Sequence, residues 1–392
     1  MSMGLSRALA SLIAGQIFLH ATMAGTRMAA PLLALRHGHS ATAVGVLLAL
    51  FALTQVFLAL PAGRYADRHG LKAPVGMSVI AAAVGAGLAA AFPVFPVLCV
   101  AALLTGGATG AASIALQRHV GRAAENQTQL KQAFSWLAIG PAASNFLGPF
   151  SAGLVIDYAG FRPAFLLMAV LPVAGWFWIR KAKELPPLAV PEGRGKAKAW
   201  ELLREPMFRR LLAVNWLMAS CWDIHTFVIP VLGHERGLSA SVIGSLLAAF
   251  AVAAASIRVV MPLLASQLRE WAVVAYSMGT AGALFALYPF LYTPLAMGLC
   301  SVALGGALGT VQPMIMSMLH QITPEHRHGE AVAIRIMAIN ASSVVMPMLF
   351  GLGGALIGIS GLFWITGAAV AAGTRLAFGL DPARNPKAGR TP

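Results

Sequence analysis

Runs of about 20 apolar residues recur from one end of the chain to the other, broken by short polar stretches. At a rise of about 1.5 Å per residue, each run is long enough to cross a hydrocarbon core of about 30 Å as a helix. The pattern predicts twelve spans, at 8–35, 40–62, 73–92, 95–117, 129–156, 161–180, 208–233, 239–264, 271–290, 294–320, 329–357 and 360–379. The apolar and polar alternation of a membrane β-barrel is missing from the sequence. The first run, LASLIAGQIFL followed by HATMAG, has the look of a cleaved signal, but an internal duplication requires it as the first span.

That duplication emerges when the second half is laid on the first at an offset of 199 residues. SATAVGVLLALFA, from Ser40 to Ala52, then aligns with SASVIGSLLAAFA, from Ser239 to Ala251. The same offset pairs Pro31 with Pro230, Gly38 with Gly237, and GGATG at 106–110 with GGALG at 305–309. The chain therefore reads as two six-helix halves, 1–180 and 207–380, with a charged linker at 181–206 and a tail at 381–392. The linker's Pro, Gly and Lys content is that of a tether without a core. Parallel repeats of this kind place a binding site near the bilayer midplane between the halves, where rocking exposes it to each side in turn.

Composition agrees with the span pattern. Of 392 residues, 58% are hydrophobic and 10% charged, against about 25% charged in soluble domains. The formal net charge of +15 suggests nucleic acid at first sight, but its placement argues for a bilayer. Of the 28 Lys and Arg, 22 fall on one side of the proposed topology. Arg36, Arg162 and Arg236 fall on the other, and Arg27, Arg258 and Arg335 lie within spans. This positive-inside bias predicts a multi-pass inner-membrane protein with both termini cytoplasmic and no nucleic-acid partner. Cys99, Cys221 and Cys300 have neither disulfide-framework nor metal-site spacing, and the histidines at 36–40 and 325–330 fall in loops without partner cysteines. No phosphate-binding glycine loop, nucleophile elbow or zinc-hydrolase motif occurs, so no cofactor, metal or enzymatic activity is expected.

Between the second and third spans lies GRYADRHGLK, Gly63 to Lys72, a short loop with charges and glycines. A carboxylate there can sit against the positive N-terminal end of a neighbouring helix. The loop resembles the signature of the major facilitator superfamily, G-x-x-x-D-[RK]-x-G-[RK]-[RK]. Gly63, Asp67, Arg68, Gly70 and Lys72 match it, and Leu71 departs from it. The resemblance implies an all-α membrane fold of twelve helices in two pseudo-symmetric bundles, with Asp67 and Arg68 in a cytoplasmic gate. The equivalent stretch of the second half, PLLASQLRE at 262–270, has no aspartate. In the fifth span, Gly140, Gly148, Pro149 and Gly153 resemble the family's antiporter motif, without its middle glycine and paired terminal glycines. The same glycines also suit plain close helix packing. The arginine that proton-driven exporters of the family carry early in the fourth span is absent here.

Ionisable residues inside spans cost about 2.5–3.5 kcal/mol each and normally face a cavity or a partner. SCWDIHTFVIP, Ser220 to Pro230, carries Asp223 and His225, which point about 200° apart on a helix and so cannot act as a dyad. The 199 offset sets Arg27 opposite Thr226, one turn from Asp223, so Arg27 and Asp223 are expected to face each other. Gln16, His20 and Arg27 form a polar stripe on the first span. Asp223 either pairs with Arg27 or takes up a proton, and a static outer ion pair is the structural alternative. Arg335, on one face with Ser342, is a candidate ligand for an anion, while Arg258 sits near a helix end where its side chain can reach the interface. Trp222 and Asn145 join Trp136, Trp216, Gln312 and Asn340 as pocket candidates, and Thr105, Thr109, Ser113 and Gln117 form a ladder better suited to packing.

These residues predict a secondary transporter of the resembled family, working as a monomer by alternating access and coupled to protons. Export of a small organic or amphiphilic solute is the first expectation. The alternatives are an organic-anion carrier using Arg27, Arg258 or Arg335, and a receptor or scaffold that does not transport.

Overall fold

A computed structural model describes residues 3–123, 133, 136–137, 139–185, 199–264, 269–323 and 328–381. Apart from short 3₁₀ turns, the regular structure among them is α-helical. The helices are α1 (Met3–Arg36), α2 (Ala41–His69), α3 (Lys72–Ala91), α4 (Phe95–Ala123), α5 (Ile139–Ala159) and α6 (Phe161–Ile179). There follow α7 (Pro206–Glu235), α8 (Ala240–Leu264), α9 (Glu270–Leu287) and α10 (Pro294–Ile322). The segment His328–Phe378 is broken at Gly358, whose φ of 72° and ψ of 167° are not helical, into α11 (328–357) and α12 (359–378). Ten of the described segments are long and apolar enough to cross a membrane, the last of them containing both α11 and α12.

The glycine and serine pairs that betray the duplication punctuate the helices identically. After α1, Gly38 takes φ 80°, its N–H reaches the Leu35 carbonyl and the next N–H, of His39, reaches Ala34. After α7, Gly237 takes φ 67°, with the equivalent bonds from Gly237 to His234 and from Leu238 to Gly233. Both are Schellman closures, which satisfy the last helical carbonyls and need a left-handed residue that only glycine adopts without strain. Two residues later Ser40 Oγ accepts from the Ala43 N–H, and Ser239 Oγ accepts from the Val242 N–H, each at 3.3 Å. Those are N-caps for α2 and α8.

Contacts gather into two compact units. One consists of Met1–Glu192 with Ile229–Ala251, the other of Gly193–Val228 with Val252–Pro392. In the first unit α1 packs on α5 and α6, and α4 on α2 and α3. In the second, α9 packs on α10 and on the α11–α12 segment. Interfaces rely on small residues, which let apolar helices approach closely where no water is available to drive association. Ala82, Ala86 and Ala89 of α3 are fully buried, for example. A Cβ on Gly110 would press on Gln55 of α2, and one on Gly309 would press on Ala254 and Ile257 of α8. Gly309 and Ala254 are the 199-offset counterparts of Gly110 and Gln55, so the repeat extends to tertiary contacts. Thr105 and Thr109 donate to the carbonyls one turn back, at 2.7 and 2.8 Å, which spends their hydroxyls within α4.

If this close approach is required in both copies, Gly110→Val and Gly309→Val will each cost about 1–3 kcal/mol by overpacking. Thermal unfolding of the purified protein in detergent should show both midpoints lowered. Unchanged midpoints would mean that the glycines are incidental.

Candidate functional site

Asp223 sits midway along α7 and is 3% exposed. Its carboxylate accepts from Ser342 Oγ at 3.3 Å and from Ser343 Oγ at 3.2 and 3.4 Å, both on α11. Ser342 Oγ also lies 3.3 Å from Ser220 Oγ, which donates to the Trp216 carbonyl at 2.8 Å. A continuous row of hydroxyls thus leads from the carboxylate back along α7 to a main-chain oxygen.

His225 looks the other way. Its Nε2 is 3.1 Å from Ser301 Oγ of α10, and Ser301 is 2.9 Å from the Tyr288 hydroxyl, which donates to the Met297 carbonyl. Ser301 links the His225 ring to the Tyr288 hydroxyl, and because a hydroxyl both donates and accepts, the direction of the chain follows the His225 tautomer. As the 200° separation predicts, the aspartate and the histidine serve different neighbours.

A little over two turns from Asp223 toward the start of α7, buried Asn215 accepts from Arg335 Nε at 3.3 Å, and Gln312 of α10 accepts from Arg335 Nη2. The Arg335 guanidinium is thus fixed between two amide oxygens inside the second unit. Arg258 lies with its guanidinium 5.6 Å from the centre of the Trp222 ring, a cation–π distance. Thr226 spends its hydroxyl on the Trp222 carbonyl.

In the first unit, Gln16 is buried, His20 and Arg27 are half-buried, and all lie on α1. Among the described residues Gln16 Oε1 and His20 Nδ1 have no hydrogen-bond partner. The antiporter-like glycines face two helices. A Cβ on Gly140 would strike Gln16, and one on Gly148 would strike the α1 backbone at Ala21 and Gly25. One on Gly153 would strike Ala240 at the start of α8, while one on Gly244 would strike Pro149. Asp157, one turn beyond Gly153, completes that contact by accepting from the N–H groups of Ala240 at 2.9 Å and Ser241 at 2.7 Å. A carboxylate on the first N–H groups of a helix is favoured by the helix dipole. Asn145 is half-buried on the same helix.

In the loop motif, Gly70 takes φ 76° and a Cβ there would collide with Glu184. Glu184 accepts from the N–H groups of Leu71 at 2.6 Å and Lys72 at 3.1 Å, and so caps α3. Arg68 is exposed and a Cβ on Gly63 would meet Ile114 at 3.9 Å, an ordinary contact, whereas the Asp67 side chain lies outside the described residues. A carboxylate does sit on a helix N-terminus beside this loop, but it comes from the segment after α6.

A family model described as Major Facilitator Superfamily matches residues 12–300 and, in a second match, 211–392. The chain belongs to the Major Facilitator Superfamily. It is a multi-pass membrane transporter, not an enzyme. It is 25% identical over 348 residues to the tetracycline resistance protein, class H, of Pasteurella multocida, covering 84% of each chain. It is 25% identical over 323 residues to the class B protein of Escherichia coli, covering 78% of this chain and 77% of that one. Against the multidrug resistance protein MdtG of Yersinia enterocolitica it is 23% identical over 346 residues, 82% of this chain and 80% of the other. A crystal structure of a POT family transporter in complex with 5-aminolevulinic acid shares the fold, with a TM-score of 0.80 at 13% identity over 97% of each chain.

Asn215, Ser343, Ser220, Ser301, Tyr288, Asp157 and Glu184 are not among the residues that the sequence pattern singles out. A signal for Asn215 was present, because the 199 offset pairs it with Gln16, a polar residue in both copies. In this transporter Arg335→Met removes the donor from two amide oxygens, one of them on fully buried Asn215, and is expected to lower stability by about 1–3 kcal/mol. Thermal unfolding in detergent would show it, and an unshifted midpoint would mean that the amides do not depend on Arg335.

Proposed function

We propose that the protein is a proton-coupled exporter of a small organic or amphiphilic compound, with Asp223 as the group that takes up and releases the proton. The observation that carries this reading is the hydroxyl row at Asp223. When the carboxyl is ionised, Ser342 and Ser343 donate to it. When it is neutral, its own O–H can donate to Ser342, whose proton turns to Ser220, which already donates to the Trp216 carbonyl. Hydroxyls both donate and accept, so the row satisfies either state by rotation alone. A guanidinium can only donate and favours the ionised state.

Export is the favoured direction because three similar proteins are named for resistance to tetracycline or to multiple drugs. The setting is two six-helix halves, 1–180 and 207–380, joined by the 181–206 linker. It would work as a monomer in the inner membrane with both termini cytoplasmic and exchange solute by alternating access. Arg27, paired with Asp223 in one state and parted from it in another, would bias the proton affinity between states. The Gly148–Gly153 face of α5, fitted to α1 and to the start of α8, supports the antiporter resemblance of that helix.

A second reading rests on Arg335 and Arg258, whose cations lie within the second unit against neutral amides and an aromatic ring. Such groups suit an organic anion, which guanidinium binds in a bidentate manner.

The test is proton flux in sealed liposomes holding the purified protein, screened with pooled cationic amphiphiles and organic anions under an imposed pH gradient. Compound-dependent proton movement is expected in the wild type and should vanish in Asp223→Asn. Ser342→Ala, which breaks the row and removes one hydrogen bond to a charge, should slow it about tenfold. Proton-coupled movement that survives Asp223→Asn would overturn the assignment. Anion movement without protons, lost in Arg335→Gln, would favour the second reading.

A further inference from the structure

A groove of about 360 Å³ opens in the first unit, beside the 63–72 loop. Its walls are Leu58, Pro61 and Tyr65 on α2 and Met77 and Ala81 on α3, and Gly107 on α4 forms part of its floor. Its volume is at the small end of the roughly 300–1,000 Å³ range of ligand pockets. The lining is almost wholly apolar. Ser78, a polar residue of the wall, donates its hydroxyl to the Pro74 carbonyl at 2.9 Å and is saturated within α3. Apart from the Tyr65 hydroxyl the wall offers little to a polar group, so what fills the groove presents mainly hydrocarbon.

The groove's lips point outward. Leu58 and Met77 are exposed, and so are their neighbours Phe57 and Ile80. In a membrane-spanning chain, exposed apolar side chains on such helices are bathed in acyl chains. At one end the character changes abruptly. Pro61, Arg64, Tyr65 and Arg68 lie at spacings of three and four on one stretch of α2, hence along one side of it. Arg64 and Arg68 are exposed, Tyr65 stacks on His69 with ring centres 4.2 Å apart, and Lys72 opens α3 two residues before wall residue Pro74. Residues 64–72 carry three Arg or Lys against one carboxylate, Asp67. Glu184, the acidic group that reaches this loop from elsewhere, is engaged by the N–H groups of Leu71 and Lys72.

We propose that this groove binds an anionic phospholipid, with one acyl chain lying between α2 and α3 on the α4 floor and the phosphate against Arg64, Arg68 and Lys72. The division of labour follows from the geometry: the groove takes the chain without regard to headgroup, and the basic mouth selects the charge. The supporting features are the charge step at the mouth and the bilayer-facing lips. On the proposed topology the mouth lies at the cytoplasmic leaflet, where basic residues near the surface attract anionic lipid. The proposal is independent of proton coupling at Asp223 and stands or falls without it.

Native mass spectrometry of the purified full chain in mild detergent, with equal amounts of dioleoyl phosphatidylglycerol and dioleoyl phosphatidylcholine, reads the site directly. One phosphatidylglycerol should be retained in preference to phosphatidylcholine. Arg64→Gln and Arg68→Gln should each weaken that retention about fivefold, with no effect on phosphatidylcholine. Ala81→Phe, which fills the groove, should abolish it. Should that variant fail to fold, Leu58→Trp at the exposed lip should narrow the groove and reduce retention. Equal retention of the two lipids would overturn the proposal, as would retention of phosphatidylglycerol by a folded groove-filled variant. Displacement by free glycerol phosphate would do so too, because the headgroup alone would then be the ligand. Binding of a second copy or of another protein in place of lipid is the remaining contrary outcome, visible in the same spectra as a change in mass.

Discussion

A carboxyl group inside an apolar helix must have hydrogen-bond partners in whichever charge state it holds, and that requirement organises the second unit around Asp223. Removing an ionised carboxylate from water costs several kcal/mol, and only well-placed donors recover it. Among its donors are two hydroxyls, Ser342 and Ser343, carried by a different helix from the acid. The bond therefore also registers α7 against α11. On its other side α7 is held by the His225, Ser301 and Tyr288 chain, which ends on the Met297 carbonyl. Two polar chains on opposite sides of one helix fix its rotation, and fixed rotation decides which side chain is presented to which neighbour.

The duplication shows what such chemistry requires by showing where it is missing. Ser144 of α5 and Ser342 of α11 each stand five residues before a proline, Pro149 and Pro347. In the first unit Ser144 donates to the backbone, to Ile17 at 3.0 Å and Gly140 at 2.7 Å, and simply joins α5 to α1. In the second unit Ser342 turns to a carboxylate, as does Ser343, the 199-offset counterpart of Ser144. At the 199 offset Ala24 occupies the place of Asp223. Punctuation and glycine contacts are kept in both copies because helix geometry demands them, while the polar residues that do something different have diverged.

Much of the fold was legible because the bilayer leaves few options. A span must be about 20 apolar residues long, and Gly38 with Gly237 and Ser40 with Ser239 mark the same turn twice. Asp223 stood out for the cost of placing it there, and its separation from His225 followed from helix periodicity. Asn215 was harder to see, since a single amide in an apolar run carries little signal until Arg335 is known to reach it. Glu184 and Asp157 were hidden for another reason. Each caps a helix distant in sequence, Glu184 across 112 residues to Lys72 and Asp157 across 84 to Ser241, and no local pattern records such a partnership.

The most direct test of proton exchange at Asp223 is infrared difference spectroscopy of the purified protein in lipid, recorded as substrate is added across a pH series. Protonated carboxyl groups absorb apart from ionised ones, so the change can be assigned by substitution. A substrate-dependent carboxyl band that moves with pH and disappears in Asp223→Asn is the result this account predicts. A band that persists in that variant, or an Asp223 that stays ionised with and without substrate, would contradict it.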